Sequence, residues 1–377
     1  MTFCVHLYLH TSQNSICQKK VLVDLLQRDR RTAIYVGSFS AVEILSLDEL
    51  ENLDVNERIR AARKILMYWA ILSKAGYDVN ERDLPQLVPQ APGRFRPRYR
   101  DDLRLAAYLA IGQTPPATID SLNDLRTELD LIADYVRNTD DNDDLLRSRN
   151  RNSNRSNFES DEKALLNFLN PPSRHAGVSM LRKFRQYHNR NAGDFVAEIL
   201  EFLDNGNTVI LDLGNADPQV RSYFSEQLSK EIFYNQVEKF SNNRIGNHYV
   251  QLYFEEAHNL FPRDQDKKAG DNIYSKIAKE GAKYHIGMVY STQSVTSIDT
   301  DLLNQTENFF IAHLSSQDEV KALSRVNVAY DGIKDDILKA KTKGYIQMLT
   351  RSHRFVVPVQ VKIFHPINPD ADNNNLV

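Results

Sequence analysis

Four apolar runs mark the second half of the chain: NTVILDLG (207–214), HYVQLYF (248–254), IGMVYST (286–292) and FFIAHLS (309–315). Stretches with helical spacing separate them, and this alternation restricts the fold more than any other feature. A strand that is apolar along its whole length must be covered on both faces, and helical connections favour parallel neighbours. The expected class is α/β, a mostly parallel sheet with helices on both faces. The spacer after the first run holds Phe224, Leu228, Ile232, Phe233, Val237 and Phe240 at helical intervals. Asp217-Pro218 opens it as a cap followed by a first-turn proline. DNIYSKIAKEGAKY and TDLLNQTE also read as helical, and Ser316 with Glu319 reads as a capping box opening QDEVKALSRV. GYIQMLT and FVVPVQVKIF close the pattern as an antiparallel pair.

The first 137 residues read as a mostly helical region with a short strand-containing start, FCVHLYL and TAIYVGSF around KKVLVDLLQRD. In RIRAARKILMYWAILSKAGY, Ile59, Ala62, Leu66, Trp69 and Ala70 recur at helical steps, and Gly76 is a helix stop. A proline-bearing loop, LPQLVPQAPGRFRPRYR, precedes two more helical runs, DDLRLAAYLAIG and DSLNDLRTELDLIADYVRN. Residues 138–162, NTDDNDDLLRSRNRNSNRSNFESDE, are polar without apolar periodicity and read as a solvated linker and domain boundary. Residues 163–365 then form the α/β portion, and 366–377 a disordered tail. ALLNFL and VSMLRKFRQY, just after the linker, read as helical.

A length of 377 residues predicts two or three domains. The net charge of −3 gives no global field for nucleic acid or membrane, so any such contact needs a local patch. Cys4 and Cys17 lack metal-ligand spacing and read as free thiols of a reducing compartment. The N-terminal stretch has no basic segment typical of a signal peptide, and no run of 18 apolar residues occurs, so the expected setting is the cytoplasm.

In a parallel α/β sheet, ligands sit at the carboxyl ends of the strands. Glu255 and Glu256 occupy that edge after HYVQLYF, and Ser291, Thr292 and Gln293 occupy it after the next strand. Two carboxylates beside a Gln suit nucleotide hydrolysis: one acid holds a hydrated Mg²⁺, the second orients or deprotonates the attacking water, and the Gln senses the γ-phosphate. Taken alone, an acidic pair is more simply a solvated strand end; the apolar lead-in, the following Ala-His-Asn and the Gln one strand later weigh against that.

LYFEEAHNLFP, followed by IAKEGAKYHIGMVYSTQSVTSIDTDLLNQTENFFIAHLSSQDEVKAL, resembles the C-terminal half of the HerA/FtsK superfamily of hexameric DNA-translocating ATPases, on the HerA side. NTVILDLGNADPQVRSYFSEQLSKEIF is similar to the strand–helix unit that precedes Walker B there. The resemblance covers about residues 205–365. It implies a partial RecA-like P-loop NTPase core using ATP and Mg²⁺, with Glu255 on the metal, Glu256 as catalytic glutamate, Gln293 as sensor, and Ser291 and Thr292 nearby. It also implies double-stranded DNA as partner, a homo-oligomeric (hexameric) ring, and work beside a nuclease in DNA-end processing or defence against foreign DNA. A conjugation or secretion ATPase shares this core.

Two departures stand against it. No G-x-x-x-x-G-K-[ST] occurs, so the backbone cradle and lysine that hold phosphates are missing. The chain then reads either as the C-terminal portion of a longer or split ATPase or as a non-hydrolysing ring or scaffold. Secondly, Ala282 stands where the family's Glu-Gly-Arg turn has arginine. The basic residues nearby are Lys276, Lys279 and Lys283, candidates for action across a subunit interface, with Arg325 a further one. Lysine does not reproduce the forked geometry of an arginine finger.

GRFRPRYR places Arg94, Arg96, Arg98 and Arg100 on one side of an extended backbone, with Phe95 and Tyr99 between, a pattern suited to phosphate contact and base stacking. The competing reading is a surface loop paired with Asp101 and Asp102. RSRNRNSNR (147–155) follows an acidic block and reads as balanced within the linker. His258 has no partner at metal spacing and reads as a packed or capping residue.

Overall fold

A computed structural model describes residues 2–4, 9–10, 15–28, 36–45, 48–77, 79, 95–140, 143–147, 156–172, 177–189, 195–213, 216–263 and 272–364. The chain forms two compact units, residues 1–220 and 221–377. Segment 138–162 lies inside the first. Its ends are tied down, with Leu146 and Phe158 buried and a single antiparallel bridge between Arg147 and Ser156. Residues 148–155, the strand expected over 32–35, Arg94 and the tail 366–377 lie outside the described residues.

In the first unit, β1 (Thr2–Cys4) pairs in parallel with β4 (Thr208–Ile210), and β2 (Leu9–His10) with β3 (His188–Asn189). The helices are α1 (Ser15–Gln27), α2 (Gly37–Ala41), α3 (Val55–Ala75), α4 (Asp101–Leu109), α5 (Leu122–Asn138), α6 (Ser160–Leu169) and α7 (Phe195–Asp204). Helix α2 includes Gly37–Phe39, read from sequence as the end of a strand. The central element is α3, buried almost all round from Ala61 to Leu72, as a helix surrounded by other helices must be. Asp54 caps its start by accepting from the N–H groups of Asn56 and Glu57, and Gly76 ends it in the left-handed region at φ 90°. It packs against α5, α6 and the helical segment Val178–Tyr187, which is wound as a 3₁₀ helix.

Two buried ion pairs tie these helices together. Arg63 of α3 donates to Glu162 of α6 at 2.5 Å and to the carbonyls of Arg98 and Asn157, both at 2.9 Å. Arg104 of α4 donates to Glu128 of α5 at 2.7 Å and to the Pro116 carbonyl. Glu128 is fully buried and also accepts from the hydroxyls of Tyr99 and Tyr108. Burial, reinforced by the adjacent Glu128 charge, pushes the Tyr108 phenol up to about 12 and holds Tyr99 well above its ordinary value.

The second unit holds α8 (Pro218–Ser241), which begins at the proline as expected and starts just before the boundary. It continues with β5 (Val250–Phe254), α9 (Ile273–Glu280), β6 (Ile286–Tyr290), α10 (Thr300–Asn304), β7 (Phe309–Ile311), α11 (Gln317–Val326), α12 (Lys334–Lys339), β8 (Tyr345–Thr350) and β9 (His353–Gln360). Strands β5 and β6 are parallel. Leu252, Phe254, Met288 and Tyr290 pack with the buried Ile286 on a core built from Phe233, Phe261, Tyr274 and Ile277. Gln251, Tyr253 and Val289 alternate with them and are exposed. The expected cover on both faces is therefore corrected for this pair: the period of two wins over the nearly unbroken apolar reading of the strand. Strands β8 and β9 form the expected antiparallel pair, and β7 joins β8 antiparallel as well. Pro358 is tolerated because β9 is an edge strand.

Tyr330, at the centre of the core beside β7, is fully buried, and its hydroxyl has no hydrogen-bond partner among the described residues. An orphaned buried hydroxyl carries a desolvation cost that phenylalanine avoids. Tyr330→Phe is expected to stabilise the chain by ~1 kcal/mol. Urea unfolding checks this, and a destabilised variant would show that the hydroxyl has a partner. No helix among the described residues is long and apolar enough to cross a membrane.

Candidate active site

Two neighbouring strand ends build the site. Beyond β5 and β6 the parallel ladder continues: the Ser291 N–H donates to the Phe254 carbonyl, and the Ala257 N–H donates to the Ser291 carbonyl, each at 2.9 Å. A regular parallel ladder would use the N–H of Glu256 for the second bond. Glu256 is instead an inserted residue in the left-handed region, at φ 49° and ψ 49°. It is a bulge, a device that re-aims one side chain at the end of a strand. A short 3₁₀ turn, Ala257–Asn259, follows and buries Ala257.

The re-aimed carboxylate meets the next strand end. The Gln293 side-chain amide donates to Glu256 Oε1 at 2.6 Å. Glu256 Oε2 is buried and accepts no hydrogen bond from the described residues, although His258 Nδ1 lies 3.4 Å away, within ion-pair distance but off a hydrogen-bond line. His258 Nδ1 is also 3.3 Å from the Thr292 hydroxyl. That hydroxyl donates to the Ser294 carbonyl, so the imidazole nitrogen is the donor and Nδ1 carries a proton. His258 thus belongs to the site rather than to the packing. Its signal in sequence is its place two residues after Glu256, with no pattern of its own to mark it.

Glu255 ends the strand exposed, with no side-chain bond or ion pair among the described residues. The structure therefore brings Glu256, Gln293, Thr292 and His258 together and leaves Glu255 beside them, free toward solvent. Ser291 contributes through its backbone. No cluster of three or more His, Cys, Asp or Glu side chains is placed to hold a metal among the described residues. Mg²⁺ at nucleotide sites takes only one or two carboxylates and completes its shell with water and phosphate. The exposed Glu255 carboxylate fits that requirement.

The basic candidates are engaged within the chain. Lys276 lies over the rings of Phe233 and Tyr234, and Lys283 over Phe240 and Tyr284. Lys279 is 3.8 Å from Asp301, and both are exposed. Arg325 is exposed in the last turn of α11. Gly281 is required where it stands: a Cβ there would come within 2.9 Å of the Ile286 carbonyl. Two arginines of the proline-bearing loop have partners within the chain. Arg96 pairs with Asp101, and Arg100 with Asp102 and the carbonyls of Asp144 and Arg147. Arg98 offers its carbonyl to Arg63. Phe95 is fully buried, and the Tyr99 hydroxyl is bonded to Glu128.

No protein-family model matches the chain. A probable helicase of Methanocaldococcus jannaschii is 30% identical over 93 residues, which is 25% of this chain and 17% of that protein. The DNA double-strand break repair helicase HerA of Sulfurisphaera tokodaii is 23% identical over 148 residues, 39% of this chain and 29% of that protein. This chain resembles the HerA-like ATPases. The HerA-like match spans less than a third of either relative's length. Among solved structures, the genome packaging NTPase B204 of Sulfolobus turreted icosahedral virus 2 shares 15% identity over 48% of this chain and 76% of that one. Its TM-score of 0.33 is too low to support a shared fold.

Proposed function

We propose that the chain supplies the water-activating face of a HerA-like ATPase that moves along double-stranded DNA, with residues 163–365 as a partial RecA-like core. The observation that carries this reading is the 2.6 Å bond between Gln293 and Glu256 across two adjacent parallel strand ends. A strained carboxylate met by an amide from the next strand is poorly explained as a solvated strand end. It is the arrangement that water activation beside a γ-phosphate needs.

In this reading Glu256 orients the attacking water and takes its proton through the partnerless Oε2, and Gln293 reports the γ-phosphate by exchanging its bond to Glu256 for one to phosphate. Glu255 would hold the hydrated Mg²⁺. His258 lies beside the Glu256 carboxylate, 3.4 Å from Oε2, with its Nδ1–H on the Thr292 hydroxyl. Bound Mg²⁺–ATP supplies the transferable phosphoryl group and the charge neutralisation that such transfer requires. The phosphate cradle comes from a segment with G-x-x-x-x-G-K-[ST], and the trans-acting cation from a neighbouring subunit of a homo-oligomeric, hexameric ring. A nuclease is the expected companion in DNA-end processing or defence against foreign DNA.

The second reading is a ring or scaffold protein without hydrolysis. The missing Gly-Lys motif and Ala282 favour it, as does the engagement of Lys276 and Lys283 on aromatic rings. The deciding experiment measures Mg²⁺-dependent ATP turnover with duplex DNA, using the chain alone and together with a polypeptide carrying the cradle. Turnover that requires both polypeptides supports the motor. Assembly into a ring with no turnover in either case selects the scaffold.

A further inference from the structure

The loop that carries Gln293 is held from two sides. Toward the β5 side, the Arg263 N–H donates to the Ser297 carbonyl at 2.9 Å, the Asp299 N–H donates to the Phe261 carbonyl at 3.1 Å, and Pro262 bridges Ile298. Toward α11, one side chain reaches back. The Glu319 carboxylate accepts from the Thr296 N–H at 2.9 Å, the Thr296 hydroxyl at 2.6 Å and the Ser294 hydroxyl at 3.0 Å. The sequence assigns Glu319 to a capping box. The structure gives the cap to Ser316 alone, which accepts from the Asp318 N–H at 3.2 Å, and sends Glu319 to the loop.

We propose that Glu319 is a positioning residue that fixes the 294–296 loop on α11 and thereby sets the Gln293–Glu256 contact. Gln293 is exposed, and the hydrogen bond its side chain makes among the described residues is the one to Glu256. A 2.6 Å bond from an exposed, flexible amide persists only if the backbone beneath it is held. Immediately after Gln293 the chain enters Ser294, whose hydroxyl is on Glu319, and Val295, whose side chain enters the core. Burial disfavours the charge on Glu319, but the hydrogen bonds from Thr296, Ser294 and the Val295 N–H outweigh it and hold the carboxyl below its usual range. The loop therefore binds the ionised form and is tied to α11.

The role rests on the reading of Glu256 and Gln293 given above, and the test separates the two. The NMR signals of the Gln293 side-chain amide, assigned with Gln293→Asn, are followed in Glu319→Ala and Glu319→Gln. The expected result is that Glu319→Ala moves them to the position of a solvated amide, the same position they take in Glu256→Ala, and that Glu319→Gln moves them part of the way. Ser316→Ala, which weakens the start of α11 without touching the loop, leaves them in place. In the reconstituted ATPase, Glu319→Ala is expected to lower kcat about tenfold with KM for ATP unchanged. Unmoved Gln293 signals in Glu319→Ala overturn the proposal, as does an equal loss of kcat in Ser316→Ala. If Glu256→Gln leaves turnover intact, the ATPase reading fails instead, and the amide signals alone then decide the role of Glu319.

Discussion

Glu256→Gln is expected to reduce ATP turnover of the reconstituted ATPase at least ~100-fold, the range for loss of a positioned general base. The variant keeps the size of the side chain and the backbone of the bulge. Its amide oxygen still accepts from Gln293, as Glu256 Oε1 does at 2.6 Å. The loss falls on the other position. An NH₂ group replaces Oε2, which has no hydrogen-bond partner among the described residues, and cannot take a proton from water. Flipping the amide would return an oxygen to that position only by breaking the bond to Gln293. The fold should be indifferent, with stability within ~0.5 kcal/mol of the parent. Steady-state turnover with duplex DNA, beside a urea unfolding curve, makes the measurement. A variant that hydrolyses ATP at the parental rate removes Glu256 from the mechanism.

The second large effect concerns the fold of the first unit. Glu128→Ala is expected to destabilise it by ~3–5 kcal/mol, the cost of removing one partner from a buried ion pair. Arg104 would keep its charge at a site where its side chain is 5% exposed, with the Pro116 carbonyl left as its hydrogen-bond acceptor among the described residues. The hydroxyls of Tyr99 and Tyr108 would lose the same acceptor. Glu128→Gln retains an acceptor and should cost less. Chemical denaturation followed by a probe confined to this unit reads the difference. A loss below ~1 kcal/mol for the alanine variant would mean that water or a neighbour satisfies Arg104 without Glu128.

These two residues also show what was legible in advance. Glu256 is visible because a strand signal ends on it and a second strand ends on Gln293; local patterns bring both to one edge. Glu128 is invisible, because its partners Tyr99 and Arg104 lie 29 and 24 residues away and nothing local marks them as neighbours. The separation of 99 residues between Arg63 and Glu162 makes the same point. Helix boundaries were readable where backbone chemistry sets them, as at Gly76 and Pro218. They misled where a tertiary partner outcompeted the local one: Glu319 fits a capping box by spacing, yet donors from Ser294, Val295 and Thr296 claim it. The arginines of GRFRPRYR show a related effect. Their alternation with Phe95 and Tyr99 encodes a chain that inserts its rings inward and pairs Arg96 and Arg100 with nearby acids and carbonyls. The parallel pair β5–β6 followed from the apolar runs, but the attachment of β7 to β8 did not, because sequence order carries no information on which edge a returning strand will choose.

The left-handed backbone at residue 256 has an evolutionary corollary. A side chain other than glycine or asparagine is disfavoured there by about 1 kcal/mol, so folding alone would select against glutamate at this position. A lineage released from whatever demand keeps the acid would have an immediately stabilising replacement within reach, and glycine at 256 would be an early sign of decay toward an inert assembly.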